Sequence, residues 1–163
     1  GAAARGGCPR LIVAAVKRAE VMTDDVVTAG RDATVQDVAE LMRDRGVGSV
    51  VIVDGERACA LVTDRDIALA VGANGVKPSD AVDSHASRPL VCGELGVSLE
   101  EAAALMVQHR VRRLPVVSGG KLVGIVTLDD LAVKAGDLKL AQQMTADVAR
   151  AALPEFFFHQ RGG

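Results

Sequence analysis

The chain has no tryptophan and no tyrosine, and its three phenylalanines, Phe156, Phe157 and Phe158, stand together near its end. Its core must therefore be built from aliphatic side chains, and stacking of a base on core aromatics is excluded as a means of recognition. Charge is nearly balanced, with 19 basic and 21 acidic residues for a net of -2. The broad positive field that captures nucleic acid is missing. No apolar run approaches the ~18 residues that cross a bilayer. Leu11 to Val16 is a short patch flanked by Pro9, Arg10, Lys17 and Arg18, which speaks for a soluble protein and against a membrane partner. The three cysteines, Cys8, Cys59 and Cys92, include no C-x-x-C pair and are odd in number. That pattern argues against a secreted disulfide scaffold and for a reducing cytoplasm, and Cys59, in the apolar run preceding Thr63, is expected to be buried and reduced.

Signs of catalysis are equally sparse. His85, His109 and His159 are scattered with no cysteine beside them, so no nucleophile and base are brought together by spacing. His85 falls in an expected linker and His109 on an expected polar helix face. Asp64 and Asp66 are two apart, positions that do not face each other on a helix, and Arg65 between them competes with any metal. Gly119-Gly120-Lys121 lacks the upstream glycine and the following Ser or Thr of a nucleoside triphosphate loop. It reads as a hairpin turn. The chain is expected not to be an enzyme and to need no metal or cofactor.

What is present is a repeat. Ala-Cys-Ala-Leu-Val-Thr-Asp-Arg-Asp at 58 to 66 is an imperfect copy of Leu-Val-Gly-Ile-Val-Thr-Leu-Asp-Asp at 122 to 130, and residues 63 and 127 stand 64 apart. The same offset pairs Thr34 with Ser98, Leu41 with Leu105, Met42 with Met106, Val47 with Val111, Gly55 with Gly119 and Asp66 with Asp130. A register held that long without insertion marks an internal duplication.

Each copy opens on a brief strand, 25 to 28 or 89 to 92. A helix start follows, with Thr34 and Asp37 or Ser98 and Glu101 placed as caps. Val35, Val38, Ala39 and Met42, and Leu99, Ala102, Ala103 and Met106, recur at helical spacing and predict one buried face each. Two β-branched runs come next, Val50 to Val53 with Leu61 to Val62, and Leu114 to Val117 with Leu122 to Val126. Asp54-Gly55 and Gly119-Gly120 supply the positive φ angles of tight hairpins. Helical spacing resumes over 67 to 71 and 131 to 135.

The predicted architecture is thus α/β (α+β): two β-α-β-β-α units packed about a pseudo-twofold axis, since one such unit would leave a sheet face uncovered. The expected divisions are an N-terminal segment 1–16, a first unit 17–72, a linker 73–88, a second unit 89–136 and a C-terminal helix and tail 137–163. A helix is expected from Pro9 to Met22.

The Thr-x-x-Asp stretch at each junction of strand and helix admits two readings. As a binding device, the aspartate accepts from the two hydroxyls of a ribose and the threonine donates to a phosphate, beside unpaired amides that attract anions. As a structural device, Thr63 and Thr127 are N-caps and Asp66 and Asp130 complete capping boxes with no ligand at all. Spacing alone leaves the two level.

The repeat resembles a known family. Val26-Val27-Thr28 before Ala33-Thr34-Val35, then Leu41-Met42, Val47 and Ala60 to Ile67, are similar to the cystathionine β-synthase (CBS) domain. In the second copy Leu105-Met106, Val111 to Val117 and Leu122 to Leu131 carry the same likeness. Covering roughly residues 17 to 135, the pair resembles a tandem CBS pair, or Bateman module, standing on its own. This resemblance implies a non-catalytic regulatory module that senses AMP, ADP, ATP or S-adenosylmethionine in clefts between the two repeats, and that signals through a partner or through its oligomeric state.

Carried over, the resemblance assigns ribose to Asp66 and Asp130, phosphate or sugar to Thr63 and Thr127, the adenine pocket to Val27 and Val91, and phosphate to Arg112. Arg112 has a plain alternative as a solvated surface arginine. The first copy departs from the second with Ala60 for Gly124 and Gly48-Ser49 for Arg112-Arg113, so its cleft is expected to be tighter and less positive. The resemblance also implies a homodimer through the helices bearing Ala68, Val71, Leu131 and Val133. A ligand-free assembly module with the same fold is the rival reading, and the regulated protein is not identified by the sequence.

Overall fold

In a computed structural model of the chain, the described residues are 22, 25–96 and 98–130, with 142, 143, 146, 147 and 150 beyond them. The elements run β1 (Thr28–Gly30), α1 (Val35–Arg45), β2 (Ser49–Asp54), β3 (Arg57–Thr63), α2 (Asp64–Gly72), a 3-10 turn (Val82–His85), β4 (Gly93–Glu94), α3 (Leu99–His109), β5 (Arg113–Ser118) and β6 (Lys121–Thr127). Leu128 to Asp130 begin a further helix after β6. The expected helices over 9–22 and 137–153 lie outside the described residues or touch them only at isolated positions. No helix among the described residues is long and apolar enough to cross a membrane.

The offset of 64 governs the backbone. β2 pairs with β3 through Ser49–Thr63, Val50–Val62, Val51–Leu61, Ile52–Ala60, Val53–Ala58 and Asp54–Arg57. β5 pairs with β6 through Arg113–Thr127, Leu114–Val126, Pro115–Ile125, Val116–Gly124, Val117–Leu122 and Ser118–Lys121. Every pair maps onto its counterpart, including a bulge that falls between Ile52 and Val53 in one hairpin and between Val116 and Val117 in the other. The helix ends match too. Thr34 with Asp37 and Ser98 with Glu101 both form complete capping boxes, and Gly46 and Arg110 end their helices in the left-handed region. The Thr34 amide, donating to Asp37 Oδ2 at 2.9 Å, and the Thr34 side chain hold the Asp37 carboxyl below its usual range.

Two details depart from the sequence reading. The opening strands start later than expected, at Thr28 and Gly93, because the valines before them serve as core residues: Val27 is buried in the first core and Val91 is half-buried against the second. The first hairpin turns on Gly55 and Glu56, with Asp54 kept in the strand, whereas the second turns on Gly119 and Gly120.

Each three-stranded half is buried on both faces. Val50, Ile52, Ala60 and Val62 pack against Val35, Val38 and Met42 of α1. Leu114, Val116 and Val126 pack against Ala102, Ala103, Leu105 and Met106 of α3. On the opposite faces Val51, Ala58 and Leu61 meet Leu90, Cys92 and Val117 of the other unit. This two-sided burial explains why the strands read as near-continuous β-branched runs rather than as alternating ones. It also corrects the expectation that Cys59 is buried. The pairing passes from Ala60 to Ala58, which leaves Cys59 as the extra residue of the bulge, half-exposed and free as a thiol. Cys92 is buried and makes no disulfide.

The two halves join edge to edge through Arg57 and Lys121, giving the order β1-β2-β3-β6-β5-β4. Each half is also completed by the segment that precedes the other. Ser87, ahead of the second unit, donates its amide to Leu61 O of β3 at 2.9 Å, and Ala86 packs on the first core. Met22, ahead of β1, packs on the second core directly over Gly124. By the offset, Met22 corresponds to Ala86 and Gly124 to Ala60, so a large residue faces glycine on one side and alanine occupies both positions on the other. The gap expected at Gly124 is filled by the Met22 thioether, and Gly124 does not make the second cleft the roomier.

The linker is built onto the first unit. Asp80 and Pro78 carbonyls accept from the amides of Val35 and Gln36 at the start of α1, each at 2.9 Å. Val82 is fully buried, and Asp83 takes the Arg31 guanidinium at 3.0 Å together with that of Arg88.

Gly124→Ala introduces a methyl group into space held by Met22. It is expected to cost about 1–3 kcal/mol in urea unfolding. Combining it with Met22→Ala should recover part of that loss, and strictly additive losses would contradict the packing described.

Candidate functional site

Both Thr-x-x-Asp stretches form the same local structure. In the first, Asp66 N donates to Thr63 Oγ1 at 3.2 Å and Thr63 N to Asp66 Oδ2 at 2.8 Å. In the second, Asp130 N donates to Thr127 Oγ1 at 3.2 Å and Thr127 N to Asp130 Oδ2 at 2.9 Å. Thr127 Oγ1 also donates to Asp130 Oδ2 at 3.0 Å. The capping box is therefore real at both junctions, and any ligand must be met by groups already committed to holding a helix end.

One backbone bond in each unit ties the junction to the preceding helix–strand loop. Asp64 N donates to Gly48 O at 3.1 Å and Leu128 N to Arg112 O at 2.9 Å. Residues 48 and 112 are thus carried to the edge of each junction by the fold, one without a side chain and one with a guanidinium.

The consequence is a cleft of about 300 Å³ in the second unit, lined by Arg112, Arg113, Thr127, Leu128 and Asp129. That volume lies at the small end of ordinary ligand sites, ~300–1000 Å³. Arg112 is exposed and Arg113 half-buried. Neither forms a hydrogen bond or ion pair from its side chain with the described residues, whereas Arg31, Arg43, Arg45 and Arg88 each hold an aspartate. Two arginines lining one cleft without an acceptor among the described residues, together with a threonine, are suited to an oxyanion such as phosphate.

Of the residues singled out from sequence, Arg112 and Thr127 line this cleft, with Asp130 bonded to Thr127. Thr63 and Asp66 form the equivalent junction in the first unit, where Gly48 and Ser49 replace the two arginines. Val27 and Val91 are not among the lining residues. Arg113 was missed as a site residue. Its signal was the Ser49–Arg113 difference between copies, but only the fold shows that β5 begins at this residue and aims it at the cleft. His109 also departs from expectation, since its Nε2 is buried with no hydrogen-bond partner rather than lying on a polar face.

Comparison with known proteins places these features in a family. A model of the CBS domain matches twice, over residues 18–73 and 82–135. The chain belongs to the CBS-domain family. CBS domain-containing protein YhcV of Bacillus subtilis is 40% identical over 134 residues, 82% of this chain and 90% of that protein. The crystal structure of Hypoxic Response Protein I with two coordinated zinc ions is similar with a TM-score of 0.64 at 33% identity, over 69% of this chain and 92% of that one. CBS domain protein PAE2072 of Pyrobaculum aerophilum, complexed with AMP, gives a TM-score of 0.69 at 25% identity, covering 76% and 96%. Among the described residues of this CBS pair, no group of three or more His, Cys, Asp or Glu side chains is placed to hold a metal.

Thr63→Val and Thr127→Val each delete a cap and are expected to cost about 1 kcal/mol in chemical denaturation. Thr127→Val should additionally change the cleft, while Thr63→Val should leave second-cleft ligand binding untouched. Loss of that binding in Thr63→Val to the same extent as in Thr127→Val would contradict the place of Thr127, and not Thr63, in the cleft lining.

Proposed function

We propose that this CBS pair is a non-catalytic sensor that binds an adenosyl nucleotide in the cleft of its second unit. The observation that carries this reading is the pair of uncompensated guanidiniums, Arg112 and Arg113, beside Thr127 at a helix start. In it the arginines and Thr127 take the phosphate and Asp130 takes the ribose, while Val91, which the resemblance assigns to the base, is not among the residues that line the cleft. A related CBS protein complexed with AMP supports the ligand class. AMP, ADP, ATP and S-adenosylmethionine are all candidates, the last being the weakest fit because it brings no phosphate to the two arginines. The first unit, with Thr63, Asp66 and Val27 but no arginine, is a poorer anion site.

Binding is read out through a second protein or through assembly in the cytoplasm. The outer face of α2 offers a contact for a homodimer, since Leu69 and Val71 are exposed at 49% and 42% and Ala68 beside them is exposed as well. Leu131 and Val133, the other expected contacts, lie outside the described residues. The rival reading, a ligand-free assembly module, draws on the capping boxes, which are complete without any ligand.

Titration calorimetry separates the two readings. Arg113→Ala and Arg112→Ala should each weaken ATP by roughly tenfold, as expected for loss of a charged hydrogen bond, and should hardly change adenosine. Asp130→Asn keeps a cap but accepts less well from ribose, so it should weaken both ligands. No binding of AMP, ADP, ATP or S-adenosylmethionine to the parent, with no rise in its melting temperature, would leave the assembly reading standing.

A further inference from the structure

One arginine of the second unit, Arg113, reaches the first unit at Gly48. Gly48 has no side chain, and a β-carbon there would lie 3.1 Å from Arg113 Nη2 and 3.4 Å from Asp64 Oδ2. The guanidinium of the second unit and the carboxylate of the first therefore approach the same small space above the Gly48 backbone. They form no ion pair with each other: Asp64 turns Oδ1 to the amide of Arg65 at 2.8 Å, and Arg113 has no acceptor among the described residues. By the offset of 64, Asp64 corresponds to Leu128, so the carboxylate has no counterpart on the other side of the pseudo-twofold axis.

Resting on the nucleotide reading above, we propose that Asp64 is a built-in competitor for the anion of the second cleft. At rest its charge lowers the positive potential of Arg113. A phosphate entering the cleft takes the guanidinium from the field of Asp64, and the first unit loses a cation at its helix start. Asp64 is the first residue of α2, so the change is delivered to the base of the helix whose outer face carries Leu69 and Val71. The second cleft is thereby coupled to the first unit through one charge rather than through a hinge. Gly48 is the enabling residue, since any larger side chain would stand between the two groups.

The test compares ATP with adenosine by calorimetry at low salt, on the full chain and on Asp64→Asn, Asp64→Leu, Arg113→Ala and the double variant Asp64→Asn with Arg113→Ala. Removing the Asp64 charge should raise ATP affinity about two- to fivefold, the scale of a partly exposed charge pair. The gain should be absent for adenosine, shrink as salt is added, and vanish when Arg113 is already alanine. A gain shared by adenosine, a gain that persists without Arg113, or no gain at all while ATP still binds would overturn the role of Asp64 alone. ATP binding to none of the variants would overturn the nucleotide reading and this inference together. Agreement of Asp64→Asn with Asp64→Leu guards against an effect specific to one replacement.

Discussion

Burial of both faces of each small sheet is the constraint on which the rest depends. A three-stranded unit with a helix on one side leaves its second face wet, and Val51, Ala58 and Leu61 on that face are too apolar to stay there. They are covered by Leu90, Cys92 and Val117 of the other unit, whose own second face is covered in return. The exchange of leading segments, Met22 onto the second half and Ala86 with Ser87 onto the first, fastens the same contact at its edges. Neither unit is complete alone.

Duplication gives symmetry, and the chemistry lies where symmetry fails. The backbone repeats down to the bulges, the capping boxes and the left-handed helix ends, so any difference in binding must come from side chains. Gly48, Ser49 and Asp64 oppose Arg112, Arg113 and Leu128. Those three exchanges move the positive charge into one cleft and leave the other with a carboxylate. A shared scaffold with one cationic and one anionic side is a simple way to make a single anion site from a pair.

Much of this was legible in the sequence for identifiable reasons. A fixed offset of 64, Ser, Thr, Asp and Glu at cap spacing, and glycine at the turns report local geometry, and local geometry repeats faithfully. Other features depend on contacts between distant residues. Cys59 looked like an inward residue of a strand until the bulge shifted it, and Gly124 looked like an opening until Met22, about a hundred residues earlier, filled it. Arg113 passed for a motif residue, because its lack of a partner is a property of three dimensions. The Thr-x-x-Asp stretches were read as caps or ligands. The structure makes them caps first, and the arginines next to one of them give that junction its chemical individuality.

On the proposed reading, the asymmetry of a duplicated chain creates a single anion-selective cleft. Binding stoichiometry of ATP, followed by equilibrium calorimetry across a range of salt, tests it most directly. One site per chain is predicted, with affinity falling steadily as salt screens the two arginines. Two equivalent sites per chain, or an affinity indifferent to salt, would contradict it.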